Sequence, residues 1–370
     1  MAGRFSGLTL MQVTPRLNEG GVERATLEIS RAFVQAGGRS LVASEGGRLE
    51  DQLRLEGGEL WPIRAASKNP VTIAANAERI ARYARDNSVS LLHARSRAPA
   101  WSAYWAAKRL GIPLVTTYHG VYGGGGLKRR YNAVMARGDV VIANSDYTRR
   151  HILETYPIDP ERVVTIDRGV DLSVFSKPDP AKVEALRRAW AVSREGTVFL
   201  LPARLTRWKG QAVAIEALRH VQAPCTLVIA GEGKAAYEKE LRRAAPHNVR
   251  FVGHVSDMAS AYGLADVVLV PSLKPEAFGR TAVEPQAMGK PVLASAAGAM
   301  TDTVEDNVSG WLVEPGDPAA WAEAMEHACE TPPEVRAKMG AAGRARVAAR
   351  YTLDQMAAKT LDVYGRLLGR

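Results

Sequence analysis

Short, uninterrupted apolar runs alternate with helical patterns along this sequence, and no other feature restricts the fold as much. The first series is "LTLMQV" (8–13), "RSLVAS" (39–44), "SLLHA" (90–94), "PLVTTY" (113–118), "VVIANS" (140–145) and "RVVTI" (162–166). Nearly all of them lack the polar alternation of a sheet with one wet face, so buried parallel strands covered on both sides are expected. Helical spacing fills the intervals, as in 22–38, which stops at a glycine pair, and in 76–87. A second series follows "RGVDLSVFSKPDP": 197–203, 225–233, 248–253, 266–272, 290–295 and 309–315, again with helices between, such as 210–221. Strand-helix alternation in both halves predicts an α/β chain with two doubly wound parallel-sheet domains. The Pro-containing segment 172–182 is the expected linker, giving domains 1–175 and 176–352, and 353–370 forms a closing helix.

Charge narrows the partners. Lys and Arg number 49 against 39 acids, a net of +10. The excess is densest from Arg95 to Arg150, where ten basic residues, among them Lys128-Arg129-Arg130, face only Asp139 and Asp146. Such a field favours a phosphorylated substrate or an anionic membrane surface. Nucleic acid is the weakest candidate, because neither zinc-finger spacing nor an aromatic-studded RNA-binding signature is present. "APAWSAYWAAKRLG" sets Trp101 and Trp105 four apart, a spacing that suits helix packing, with membrane anchoring as the alternative. No segment approaches a membrane span, and the apolar stretch before Pro15 is too short for a secretory signal, so a cytoplasmic location is expected. Cys225 and Cys329 lack metal-ligand spacing, and a reducing compartment without a structural metal follows.

The chemistry concentrates in "PSLKPEAFGRTAVEPQAMGKPVLAS", residues 271–295. Strand 266–272 ends here, and open α/β sheets bind ligands at the carboxyl ends of their strands. A loop holding Glu276 leads into a helix near Gly279 or Arg280, whose first N–H groups suit a phosphate. Gly279 lets that phosphate approach the backbone closely. Glu284, about a turn further on, suits a ribose diol, and Glu276 suits sugar hydroxyls. Two carboxylates flanking a phosphate-binding helix end can grip both ends of a nucleotide sugar.

This stretch resembles the Glu-x7-Glu motif of the retaining family 4 glycosyltransferases, which have the GT-B fold. Further matches follow in order along nearly the whole chain: "PRLNEGGVERATLEIS", "TTYHG", "VIANSDYTRRHI", "RGVDLSVF", "PARLTRWKGQ" and "LVIAGEG". The resemblance implies that Arg204 and Lys209 bind the donor diphosphate and stabilise the charge that grows on it as the glycosidic bond breaks. Backbone N–H groups near Gly279 to Thr281 would assist, and Phe278, Arg280 and Thr281 would count among the donor-binding residues. Glu276 would hold the donor sugar and Glu284 the ribose. Gly20-Gly21 would approach the phosphates, unless they only form a tight turn, and His119 would lie at the reacting carbon. The donor would be a nucleotide sugar such as a UDP- or GDP-sugar, with no cofactor. The acceptor would be a glycan or lipid-linked glycan, of the kind assembled in lipopolysaccharide core or other envelope polysaccharide, met at the inner face of the membrane. The closing helix would cross back to the first domain.

Three features depart from the family pattern. Arg168 stands where Asn is common, Arg280 replaces an apolar residue, and Pro285 follows Glu284 directly, which predicts a distorted or late-starting helix. Arg207 is expected as a solvated loop charge. No Asp-x-Asp pair is present for a divalent metal, so protein cations should neutralise the leaving group. Two alternatives use a similar architecture: a GT-B nucleotide-sugar epimerase and a nonenzymatic nucleotide-sugar-binding protein. A dinucleotide oxidoreductase is weaker, because the first strand does not lead into Gly-x-Gly-x-x-Gly.

Overall fold

The computed structural model describes residues 3–18 and 20–370, and the chain divides into two compact units. One runs up to Asp167 and takes in Asp354–Arg370; the other is Arg168–Leu353.

The first unit is built on a seven-stranded sheet in the order β3-β2-β1-β4-β5-β6-β7. Its strands are β1 (Thr9–Val13), β2 (Arg39–Ser44), β3 (Glu59–Pro62), β4 (Val89–Ala94), β5 (Leu114–Tyr118), β6 (Val140–Ala143) and β7 (Val163–Thr165), all paired in parallel. Strand β3 escaped the sequence reading because "ELWP" is a half-exposed edge strand that begins with Glu and ends with Pro, both of which edges tolerate. The helix Pro70–Asp86 starts before the stretch legible from spacing: Asn69 caps it, its Oδ1 accepting from Val71 N at 2.9 Å, and Pro70 fills the first helical position. The closing helix Leu353–Leu367 is anchored in this unit. Tyr364 is fully buried with its hydroxyl 2.5 Å from His93 Nδ1, and Arg4 pairs with Asp362 at 2.6 Å.

The second unit carries a six-stranded parallel sheet in the order β10-β9-β8-β11-β12-β13. Its strands are β8 (Thr197–Pro202), β9 (Cys225–Ala230), β10 (Val249–Gly253), β11 (Val267–Val270), β12 (Val292–Ser295) and β13 (Gly310–Val313). Successive residues of β8 feed opposite cores: Val198 and Leu200 join one cluster, Phe199 and Leu201 the other. Both faces are therefore buried, which is why these strands carry apolar residues without alternation.

The unit boundary lies at 167/168, before the segment "GVDLSVF" and not after it. Val170 N donates to Tyr351 O at 2.8 Å, Leu353 N donates to Val170 O at 3.0 Å, and Phe175 packs against Tyr262, so this segment belongs to the second unit. Among the described residues, no helix is long and apolar enough to cross a membrane.

Candidate active site

In the second sheet, β8 and β11 are neighbours whose following chains depart to opposite sides, β8 toward β9 and β11 toward β12. This is the switch point at which open α/β sheets bind ligands. Backbone bonds tie the loops there together. Leu205 N reaches Glu232 O at 2.9 Å, Leu273 N reaches Trp208 O at 2.8 Å, and Ala299 N reaches Glu276 O at 2.9 Å. Gly210 closes the loop after β8 with φ of +75°, and a Cβ on it would lie 1.8 Å from the Pro271 carbonyl oxygen. Only glycine allows this approach, which sets Lys209 against the loop after β11.

Lys209 and Glu276 meet as a result. Lys209 Nζ lies 2.7 Å from Glu276 Oε1, and the side chains are 13% and 12% exposed. Ser272, buried at the end of β11, donates its hydroxyl to the same oxygen at 2.5 Å. Lys209 Nζ also lies 4.4 Å from the centre of the Trp208 ring, a cation–π contact. Arg204 is on the same loop, exposed, with its carbonyl held by Gln211 Nε2 at 2.9 Å. Arg207 is the solvated charge expected, its side chain 74% exposed, and at the surface it makes a two-pronged pair with Glu240 at 2.9 and 2.7 Å and lies over Tyr237.

The helix Arg280–Ala287 begins beside this pair, with Gly279 as its N-cap at φ +85°. A Cβ on Gly279 would lie 1.8 Å from the Met300 methyl carbon, so glycine is favoured by conformation, and a larger residue would have to displace the end of that methionine. Thr281 Oγ1 is buried without a hydrogen-bond partner at this helix start. The expected late start is corrected: the helix begins at Arg280, and Pro285 acts at the far end. Lys290 N and Met288 N both turn back to the Pro285 carbonyl, at 2.9 and 3.0 Å, and the helix ends after eight residues.

Glu284 is buried and already engaged. Its Oε1 takes Arg280 Nη2 at 2.6 Å and Nε at 2.9 Å, and its Oε2 accepts from the Tyr262 hydroxyl at 2.9 Å. Burial, together with the Glu284 charge, pushes the Tyr262 phenol well above its ordinary range, so it stays a donor. Arg280 thus directs its charge onto Glu284. Phe278 is corrected more firmly. Its ring is buried in the core at 4% exposure, edge-on to Tyr351, leaving only its backbone for a ligand.

The remaining residues, Arg168 apart, belong to the first unit. His119 directly follows β5 and is half-buried, its backbone engaging the Tyr122 hydroxyl. Gly20 and Gly21 open the helix Gly21–Gln35 after β1. Gly20 is extended at φ 169°, where a Cβ would lie 2.4 Å from the flexible Glu23 carboxylate, and a Cβ on Gly21 would meet nothing within 4 Å, so neither glycine is demanded by backbone conformation. Arg168 is buried at 5% exposure and starts the second unit. Trp101 packs on the first core with its indole N–H on Tyr131 O at 3.0 Å, whereas Trp105 is 42% exposed.

Ser272, Tyr262 and Trp208 were not singled out from sequence. Ser272 and Trp208 stand inside quoted motifs, next to the residues they support. Tyr262 gave no signal, because it reaches Glu284 from a separate helix, Met258–Leu264, whose residues read as core.

A parallel-sheet unit with a cation-carboxylate pair and a helix start at its switch point describes a nucleotide-type binding domain, and comparison with known proteins narrows the class. Residues 19–174 match Glycosyltransferase Family 4, and residues 182–346 match Glycosyl transferases group 1. A D-inositol 3-phosphate glycosyltransferase of Jonesia denitrificans is 31% identical over 319 residues, 73% of this chain and 73% of that protein. Another from Xylanimonas cellulosilytica is 29% identical, covering 95% and 93%. Among solved structures, a glycosyltransferase from Rickettsia africae superposes with a TM-score of 0.90 at 32% identity, over 98% of each chain. Anabaena HepE, solved with UDP and glucose, shares the fold at a TM-score of 0.86 and 21% identity, over 97% of this chain and all of that one. The chain belongs to the family 4 glycosyltransferases, with the GT-B fold.

Proposed function

We propose that this protein transfers a sugar from a nucleotide-sugar donor to an anionic acceptor, with retention of anomeric configuration and without a metal ion. The observation that carries the donor reading is the half-buried Lys209–Glu276 pair beside a helix start with an unpartnered Thr281 hydroxyl. In this reading the diphosphate lies against the helix start and Lys209, with Arg204 reaching in from the exposed loop. As the anomeric C–O bond breaks, these cations and amides meet the growing phosphate charge, the task a divalent metal performs elsewhere. Glu276 holds the sugar hydroxyls. Glu284 Oε1 has both lone pairs taken by Arg280, but Oε2 keeps one beyond the Tyr262 hydroxyl, so it can still accept from the ribose.

The carboxylate geometry favours same-face attack over double displacement. Glu276 Oε1 is tied by Lys209 and Ser272, which makes it a poor nucleophile and a good hydroxyl acceptor. The departing phosphate then takes the acceptor's proton, and the sugar passes through an oxocarbenium-like state. Product anomer by NMR tests this reading, a trapped glycosyl-enzyme overturns it, and loss of activity in EDTA overturns metal independence.

For the acceptor, the segment Gly123–Arg130 is exposed, and it carries Leu127 at 82% exposure beside Lys128, Arg129 and Arg130. An apolar residue among cations suits a phosphorylated, lipid-linked envelope glycan at an anionic membrane surface. The inositol phosphate relatives favour a second reading, a soluble phosphorylated polyol. A thermal-shift screen of nucleotide sugars, followed by transfer assays on both acceptor classes, separates them. Product from donor alone would indicate an epimerase, and donor binding without turnover a nonenzymatic binder.

A further inference from the structure

The two cysteines of the sequence stand 104 positions apart, yet the fold of the second unit joins them. Cys225 opens β9 and pairs in register with Thr197, the first residue of β8. Cys329 lies near the end of the helix Pro318–Glu330. Arg336 brackets the place, its Nη1 2.9 Å from Ala328 O, 3.4 Å from Thr197 Oγ1 and 3.5 Å from Cys329 O. The two thiols stand near enough for each to shift the other's titration, Asn248 Nδ2 lies 4.0 Å from Cys225 Sγ, and both cysteines are free and half-buried. They sit at the amino end of the sheet, away from the switch-point loops at its carboxyl end.

We propose that Cys225 and Cys329 form a redox modification site, in which a hydroperoxide oxidises Cys329 and Cys225 resolves the product into a disulfide. The Cys329 thiol is held below its ordinary value, chiefly by the hydrogen bond with Cys225 and then by Thr197, with Arg336 adding to these against burial and the Glu326 charge. The Cys225 thiol is pushed up by that same hydrogen bond, then by burial. Cys329 is therefore the attacking group, since the thiolate is the nucleophile, and Cys225 is the resolving thiol. The Cys329 thiolate attacks one peroxide oxygen, forming a sulfenic acid while the other oxygen leaves as hydroxide and takes the proton Cys329 released. Cys225 sulfur then attacks the sulfenic sulfur, and its proton leaves with the hydroxyl as water. Two thiols and one hydroperoxide give one disulfide and two waters (water and an alcohol from an alkyl hydroperoxide), and an external dithiol reverses the change.

The test is intact-mass and peptide mass spectrometry of the full chain treated with hydrogen peroxide and then with an alkylating agent. The expected result is joint loss of both thiols, a mass lower by two hydrogens, one cross-linked Cys225–Cys329 peptide, and full recovery with dithiothreitol. Cys225→Ser should accumulate a sulfenic acid on Cys329 that dimedone traps, while Cys329→Ser should leave Cys225 alkylatable. Persistence of both thiols, separate stepwise oxygen additions, or a disulfide only between molecules would overturn the proposal. The wild-type measurement suffices if either variant fails to fold, and none of these readouts depends on donor or acceptor.

Discussion

Lys209 and Glu276 hold opposite charges in a partly dry place, so the two partners should respond differently to substitution. Lys209→Met removes the cation and leaves a half-buried carboxylate facing only Ser272. kcat should fall by about 10²–10³, as for other lost transition-state contacts, and the melting temperature should drop as well. Glu276→Gln keeps the shape and much of the hydrogen bonding, so its loss should appear in kcat with little change in melting temperature. Tyr262→Phe leaves Glu284 one donor short in a buried site, which costs about 1 kcal/mol and should raise the donor KM several-fold with kcat nearly unchanged. Two glycines offer a sharper contrast. A Cβ at Gly210 meets the Pro271 backbone oxygen, which cannot yield, whereas at Gly279 it meets the end of a flexible methionine. Gly210→Ala should therefore abolish folding or cost more than about 3 kcal/mol. Gly279→Ala should cost less, and Met300→Ala should relieve its steric part in a double-variant unfolding measurement. The Lys209–Glu276 contact and the Gly279 helix start were legible because charge and glycine stand out in a motif. Tyr262 and the core orientation of Phe278 were not, because a phenol and a ring at helical or turn spacing look alike whether they face a ligand or a core.

Among elements, the closing helix and β4 share a buried polar contact that predicts a pH effect. His93 is wholly buried, with Nδ1 2.5 Å from the Tyr364 hydroxyl and Nε2 2.7 Å from Thr117 Oγ1. Burial, and then the charges of Arg95 and His119, hold its imidazole well below the ordinary range, so it is neutral in the fold. The unfolded chain takes up a proton near pH 6.5, and the folded chain resists it. The stability due to His93 is thus complete above about pH 6.5 and declines as pH falls below it. Melting temperatures followed from about pH 7 to pH 5 should show this decline, and His93→Gln should flatten it; an unchanged slope would count against the assignment. At this scale the sequence was most informative. Apolar runs located every strand except β3, whose edge position removes the burial that makes a strand conspicuous. The unit boundary was misjudged because Pro178 and Pro180 suggested a linker, while the backbone bonds of Val170 to Tyr351 and Leu353 leave no trace in local composition.

For the whole molecule, the second unit is one continuous stretch with its own two-sided core. Residues 168–353 expressed alone should unfold cooperatively and be stabilised by UDP or a donor sugar; an unfolded fragment would show that the first unit is needed for its fold. The basic segment makes a separate prediction for the intact protein. Charge reversal at Lys128, Arg129 and Arg130 should weaken sedimentation with anionic vesicles, more so at low salt, and equal sedimentation would favour the soluble acceptor.

The parallel bridge between Val170 and Thr352 brings the two ends of this stretch side by side. The chain therefore enters and leaves the second unit at adjacent points. Recombination that spliced in a homologous stretch would have to match only those two adjacent crossings, so this unit could be exchanged whole while the rest of the chain kept its sequence.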